Sequence, residues 1–310
     1  NHAQGAALAA RHVQPRHLPR ISIVTPTYNY GHFIGDAIDS LLAQSYSNLE
    51  YLVFDAASSD NTVALLKSYG DKIDHWESRP DSGPAEAITH GLLRANGELF
   101  NWLNADDYLL PDTLPTLGSI AQQFPQFDIY AFLNYEEAQD GRRWMRFERW
   151  PVDYAPYDLL SCRCPMAQDA TFIRPGFLSQ HQLSFPAEYQ HIFDTVLYEM
   201  MLYAGAHVLF IDKPASVMRH HPAAKTSQGI PEADRERARA WERSRFSGRL
   251  RIWRRLNASR FGAALRWLCA DRTRLRVVAL ALGRPEPQWA ICRQAGADHN
   301  TPQAWTISTH

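Results

Sequence analysis

The sequence predicts an α/β fold on a parallel sheet, and three observations predict it. Short β-branched and aromatic runs recur through about the first hundred residues, each closed by a proline or an acidic residue. Between them lie stretches whose apolar residues repeat at helical spacing. The connections are tight, so strand, helix and strand alternate in the manner of right-handed crossovers between parallel neighbours. Strands so connected end on one edge, where open α/β sheets bind ligands.

Ile21-Ser22-Ile23-Val24-Thr25 is the first strand, closed by Pro26. A helix follows over about Phe33–Ala43, with Ile34, Ala37, Ile38, Leu41 and Leu42 on one face. Tyr51-Leu52-Val53-Phe54 is the second strand and stops at Asp55. The polar turn Ala56–Thr62 then supplies an N-cap for a helix over Val63–Tyr69. Ile73–Trp76 fits a short third strand, Pro80–Pro84 a turn, Ala85–Ala95 a helix, and Asn96-Gly97 its C-cap. The apolar strand within Glu98–Asp107 runs straight into Asn104, Asp106 and Asp107. Oxygen ligands at that strand end can hold a hard divalent cation against a phosphorylated ligand. The same acids equally suit a helix-capping pair at a strand-to-helix turn.

Four segments carry a resemblance: Ser22–Asn29 (SIVTPTYN), Phe54–Thr62 (FDAASSDNT), Pro80-Asp81-Ser82-Gly83 and Trp102–Asp107 (WLNADD). In order and spacing they resemble family 2 glycosyltransferases of the GT-A fold, over roughly residues 20–225. The resemblance implies a sheet edge that binds a nucleotide-diphosphate sugar. Asn104-Ala105-Asp106 then stands where the family has its Asp-x-Asp metal motif, with Asn104 replacing the first carboxylate. That departure places more of the burden for Mn²⁺ or Mg²⁺ on Asp106, with Asp107 as a second ligand or as a brace for the first. A divalent ion stabilises the charge that develops on a departing nucleoside diphosphate. Thr25, Pro26, Tyr28, Asp55, Asp81, Asn104 and Ala105 are the expected donor contacts; a strand terminator and an N-cap are the structural readings of Thr25-Pro26 and Asp55.

By the same resemblance the second half supplies the acceptor site and the base. Pro165–Ile173 is similar to a segment lining the donor-sugar pocket. His191–Met201 reads as an amphipathic helix before an Ala204-Gly205 turn, and Asp194 in its first turn matches the family's carboxylate base. A carboxylate base suits in-line, inverting displacement by an acceptor hydroxyl, while a first-turn acid also favours the helix dipole. His221 is a candidate metal or phosphate contact and Lys225 a candidate phosphate donor. Arg142, Arg143, Trp144, Arg146 and Trp150 offer a polar, partly aromatic acceptor surface, or core packing. The Gln-x-x-Arg-Trp motif of processive synthases is missing after the base, so transfer of one sugar per binding event is expected.

The expected organisation is a flexible leader over 1–20, a catalytic domain over 21–228 (nucleotide-sugar half 21–110, acceptor half 111–228), a basic amphipathic helical extension over 229–283 and a loosely ordered tail over 284–310. Cys162, Cys164, Cys269 and Cys292 have no zinc spacing, which fits a reducing cytoplasm. Arg235–Arg276 holds fourteen arginines, no lysine and three acids, a surplus of eleven positive charges against a whole-chain net of −1. Trp and Leu interleave with these arginines, as in an interfacial helix that meets anionic headgroups at the inner membrane face. Packing on the acidic catalytic domain or on another subunit is the competing expectation, and nucleic acid is not expected. The function expected is a metal-dependent inverting transfer from a UDP- or dTDP-type sugar to a glycan or lipid-linked hydroxyl in bacterial surface polysaccharide assembly. A non-catalytic sugar-nucleotide binder or a nucleotidyltransferase of the same fold is the alternative. Tyr28–His32 lacks the glycines and basic residue that would grip a triphosphate.

Overall fold

The computed structural model describes residues 18–146, 166–224, 230–243, 289–294 and 305–309. Strand β1 (Ile21–Thr27) runs parallel to β2 (Leu49–Asp55) on one side and to β4 (Leu99–Trp102) on the other; β3 (His75–Ser78) is parallel to β2. Helices α1 (Ile34–Leu42), α2 (Thr62–Tyr69) and α3 (Pro84–Arg94) connect them. The apolar runs become strands because both faces are covered. Ile21, Ile23, Tyr51 and Val53 pack with Ile34, Ile38 and Leu41 of α1, whereas Val24, Leu52 and Phe54 pack with Ala87 and Ile88 of α3. Side chains alternate between the two faces, and double burial leaves no polar alternation for the sequence to display. Helix α3 lies close to the sheet because Gly91 has no side chain: a Cβ there would meet Val24 Cγ2 at 2.5 Å.

The chain adds β2 and β3 on one side of β1 and then returns to place β4 on the other. This reversal opens a crevice at the carboxyl ends of β1 and β4. Beyond β4 the sheet turns mixed. β8 (Thr171–Ile173) is antiparallel to β4 and to β6 (Ile129–Glu137), and β6 is parallel to β9 (Val208–Arg219). β5 (Tyr108–Leu109) pairs with β9, and β7 (Arg143–Met145) with β6. Helices α4 (Thr113–Gln123), α5 (Pro175–Gln180), α6 (Phe193–Tyr203) and α7 (Ile230–Arg243) complete the described fold.

Two expectations are corrected. Asn96-Gly97 is no left-handed helix stop: Ala95 caps α3 in an extended conformation. Gly97 is there for close approach, since a Cβ would sit 2.5 Å from Ser22 Oγ and 2.6 Å from Ser22 N. Residues of the tail are not all loose: β10 (Trp289–Gln294) extends the sheet parallel to β9, and β11 (Trp305–Thr309) pairs antiparallel with β10. Ala290, Ile291, Cys292 and Trp305 are buried there, so apolar burial holds a segment whose composition is polar. Of the arginine-rich stretch, only the part within α7 is described. Its arginines pair along the helix, Arg235 with Glu232 (3.1 Å), Arg237 with Asp234 (2.8 Å) and Arg239 with Glu236 (3.9 Å). Residues 244–283, and with them most of the expected basic extension, lie outside the described residues. Among the described residues no helix is long and apolar enough to cross a membrane.

Candidate active site

A cavity of about 1070 Å³ opens at the crevice. Pro26, Tyr28, Asp81, Asn104, Ala105, Asp106, Asp107 and Asp194, all singled out in the sequence, line this one space. The tip of β4, the start of α6 and the end of β9 therefore converge, although they are distant in sequence.

The nucleotide-side rim is laced by short polar contacts. Asn29, in the left-handed region at φ 56°, donates its N–H to Ser58 Oγ (2.7 Å) and accepts from Ser59 N–H (2.8 Å). Gly31 N–H donates to Asp60 Oδ2 (2.9 Å). Asp81 accepts from Gly83 N–H (2.8 Å), and burial pushes its carboxyl above the ordinary range. Gly83 itself sits at φ 126°, where a side chain would be strained.

Two expected donor contacts are corrected by depth. Thr25 is fully buried, accepts a hydrogen bond from Tyr51 OH at 3.1 Å and does not line the cavity. Asp55 is 2 % exposed and is spent on the loop behind the cavity: it accepts from Ser58 N–H (3.0 Å), Ser58 Oγ and Ser78 Oγ (2.5 Å). Thr27, at the very end of β1, takes the place expected for Thr25. It lines the cavity, and its buried Oγ1 has no hydrogen-bond partner, a state that buried hydroxyls rarely keep without a ligand or water. Lys225 lies outside the described residues, as do Trp150, Cys162, Cys164 and Cys269.

The acidic tip is a tight turn, closed by Asp107 N–H donating to Asn104 C=O (3.0 Å). Asp106 Oδ2 is 3.1 Å from His221 Nε2. The imidazole is held between the rings of Phe33 (4.4 Å between centroids) and Tyr30 (5.8 Å, edge-on). Of the two roles expected for Asp107, second ligand or brace, its contacts are those of a brace. Its Oδ1 accepts from Arg219 N–H (3.0 Å) and its Oδ2 from Asn104 Nδ2 (3.3 Å). Burial and the nearby Asp106 and Asp169 charges push the Asp107 carboxyl well up. Arg219 clamps the turn further, donating to Asp106 C=O and to Asp36 (2.5 Å) with its guanidinium over the Phe33 ring. Among the described residues no group of three His, Cys, Asp or Glu side chains is arranged to hold a metal ion. One carboxylate oxygen and one imidazole nitrogen remain, a donor set that fits a divalent cation only when the bound diphosphate and water supply the other ligands.

Across the cavity, Asp194 sits in the first turn of α6. Burial raises its carboxyl above the ordinary range, opposed by the Thr195 N–H and hydroxyl and by the Arg146 charge. A raised carboxyl is a stronger proton acceptor once ionised. Gln168 braces the tip of β4: its amide donates to Trp102 C=O and accepts from Asn104 Nδ2 (3.0 Å). Gln168, from the segment likened to the donor-sugar pocket, and Arg146, from the expected acceptor surface, both line the cavity, as do Arg219 and His220, which no local pattern in the sequence distinguishes. Trp144 is 43 % exposed and stacks on His220 (5.7 Å, 10°), so it is a surface residue and not a core one.

Comparison with known proteins is consistent with this geometry. Residues 22–178 match the family profile described as glycosyl transferase family 2. An uncharacterized glycosyltransferase of Rickettsia typhi is 34% identical over 123 residues, 40% of this chain and 38% of the relative. One of Haemophilus influenzae is 33% identical over 100 residues, 31% of this chain and 40% of the relative. The chain thus spans well under half the length of these curated relatives. Among solved structures, Staphylococcus aureus TarS 1–349 in complex with UDP-GlcNAc superposes with a TM-score of 0.59 at 18% identity, covering 85% of this chain and 82% of that one. The mannosyltransferase PcManGT of Pyrobaculum calidifontis, in complex with GDP-Man and Mn²⁺, gives 0.55 at 17% identity, covering 87% and 81%. Likeness at such identities is a likeness of fold.

Proposed function

Because this chain belongs to glycosyl transferase family 2, we propose that its cavity carries an inverting, metal-dependent transfer of one sugar from a nucleotide-diphosphate donor to an acceptor hydroxyl. The observation that carries the reading is the convergence of Asp106 and Asp194 on one cavity. Tyr28, Thr27 and Asp81 hold the nucleoside, with the orphaned Thr27 hydroxyl as a hydrogen-bonding group for it. Asn104, Ala105 and Asp106 would face the diphosphate; Asp106 and His221 would hold a divalent cation, and Asp107 braces their turn through Arg219. The cation, when bound, offsets the negative charge that develops on the leaving diphosphate. Asp194 accepts the proton of the acceptor hydroxyl as its oxygen attacks the anomeric carbon from the face opposite the diphosphate.

The donor is of UDP or dTDP type; TarS binds UDP-GlcNAc, and PcManGT binds GDP-Man with Mn²⁺. The acceptor is a glycan or lipid-linked hydroxyl in bacterial surface polysaccharide assembly. The exposed Trp144, stacked on the cavity residue His220, suits a carbohydrate. The arginine surplus of residues 235–276 suits work at an anionic inner membrane face.

The test is a panel of UDP-, dTDP- and GDP-sugars screened by thermal shift with Mn²⁺ or EDTA, followed by nucleotide release from the best donor. A matching donor raises Tm in proportion to its affinity, and the gain is expected only with the cation. No shift and no release with any donor would overturn the reading.

A further inference from the structure

Glu236 is a buried carboxylate, 4 % exposed, on a helix that is otherwise arginine-rich and polar. It belongs to none of the roles assigned above. Its oxygens reach across to the turn before α6 and accept three consecutive backbone N–H groups: Gln190 (2.8 Å), His191 (2.8 Å) and Ile192 (3.3 Å). His191 Nδ1 is a fourth neighbour at 3.4 Å. Burial raises this carboxyl, yet the Gln190 and His191 donors hold it below the ordinary range, so it stays charged.

Helix α6 has no side-chain cap of its own; Ile192 at its N-cap position cannot supply one. The segment that Glu236 grips is the segment that delivers the base, because Gln190 through Thr195 all line the cavity. Ala233 and Arg237 of α7 line it as well, one turn before and one residue after Glu236. On the opposite side, Gln190 abuts the nucleotide rim, since a Cβ at Gly83 would fall 2.9 Å from Gln190 Oε1.

We propose that Glu236 is the positioning residue for Asp194, which makes α7 a working wall of the active site. This rests on Asp194 being the base. The Glu236 carboxylate fixes the Gln190–Ile192 turn by charge-assisted hydrogen bonds, and the turn sets where the first residues of α6 enter the cavity. Misplacing a catalytic group by about 1 Å costs up to 10²-fold in rate. Glutamine at this position has one carbonyl oxygen and an amide group that opposes N–H donors, so the turn loosens while the shape of the side chain is kept.

The experiment compares the full chain with Glu236→Gln and Glu236→Asp. Two quantities are read: nucleotide release from the fastest of UDP-glucose, UDP-N-acetylglucosamine, dTDP-rhamnose and GDP-mannose, and amide hydrogen exchange. Glu236→Gln is expected to lower kcat on the order of 10- to 100-fold with donor KM held within about twofold, and Glu236→Asp to recover part of the loss. The amides of residues 190–192 are expected to exchange faster, with those of β1 unchanged. Unaltered kcat in a folded Glu236→Gln overturns the proposal, as does unaltered exchange at residues 190–192. A parent that releases no nucleotide from any donor refutes the transferase reading instead, and the exchange comparison still decides the role of Glu236.

Discussion

Replacing Asp194 by asparagine separates chemistry from stability at one atom. Asp194 is half-buried at the start of α6, where desolvation raises its carboxyl and the Arg146 charge and Thr195 donors only partly compensate. Asparagine keeps the size and loses the proton-accepting oxygen. A positioned general base contributes about 10²–10⁴-fold, so kcat falls by that factor, about 3–5 kcal/mol of barrier, while donor affinity is retained. Stability moves the other way. Below the ordinary carboxylate range Asp194 is neutral in both folded and unfolded chains, and the two proteins melt alike. As pH rises through the raised folded value, the parent loses stability that Asp194→Asn keeps, by about 1.4 kcal/mol for each pH unit separating folded from unfolded values. Melting curves from pH 4 to 8 beside nucleotide-release rates check both effects. Parent-like turnover in the variant would refute the base, and a variant less stable at neutral pH would refute the raised carboxyl.

The remaining predictions test the surroundings of that carboxyl and the frame. Arg146→Met removes a charge that lowers the Asp194 carboxyl, so the acid limb of the kcat profile moves to higher pH; a limb that stays or moves down contradicts the contact. Asp106→Ala abolishes the Mn²⁺-dependent part of donor binding in calorimetry and leaves any EDTA-resistant part unchanged. Gly91→Ala forces a methyl onto Val24 and costs about 1–3 kcal/mol in urea unfolding. Glu50→Ala strands the Ser22 hydroxyl and both Asn96 donors that its carboxylate accepts, for about 2–4 kcal/mol. Burial raises the Glu50 carboxyl, but the Asn96 and Ser22 hydrogen bonds and the Arg20 charge outweigh it and hold the folded value down. Its contribution is therefore present above the ordinary glutamate range and fades as pH falls through that lowered value.

The sequence was legible where a pattern is local. The β1–β4 half could be read because doubly buried strands and amphipathic helices write their periods into adjacent residues, and Asn104–Asp107 is one turn. Depth is not written there. Thr25 and Thr27 are the same residue type two positions apart, and only the strand end decides which meets the cavity. Asp55 and Asp107 looked like ligands because their oxygens are local facts, whereas their partners Ser78 and Arg219 come from other strands. The tail strands were missed since β10 pairs with β9, far back in the chain, and β11 pairs onto β10. Glu236 was one of three acids in an arginine run, and nothing nearby tells that its donors sit at residues 190–192.

The most direct test of a single carboxylate acting opposite the diphosphate is the configuration of the first sugar released. Proton NMR of fresh product from an α-linked nucleotide sugar is predicted to show the β-anomer before mutarotation. A first-formed α-anomer would contradict the account.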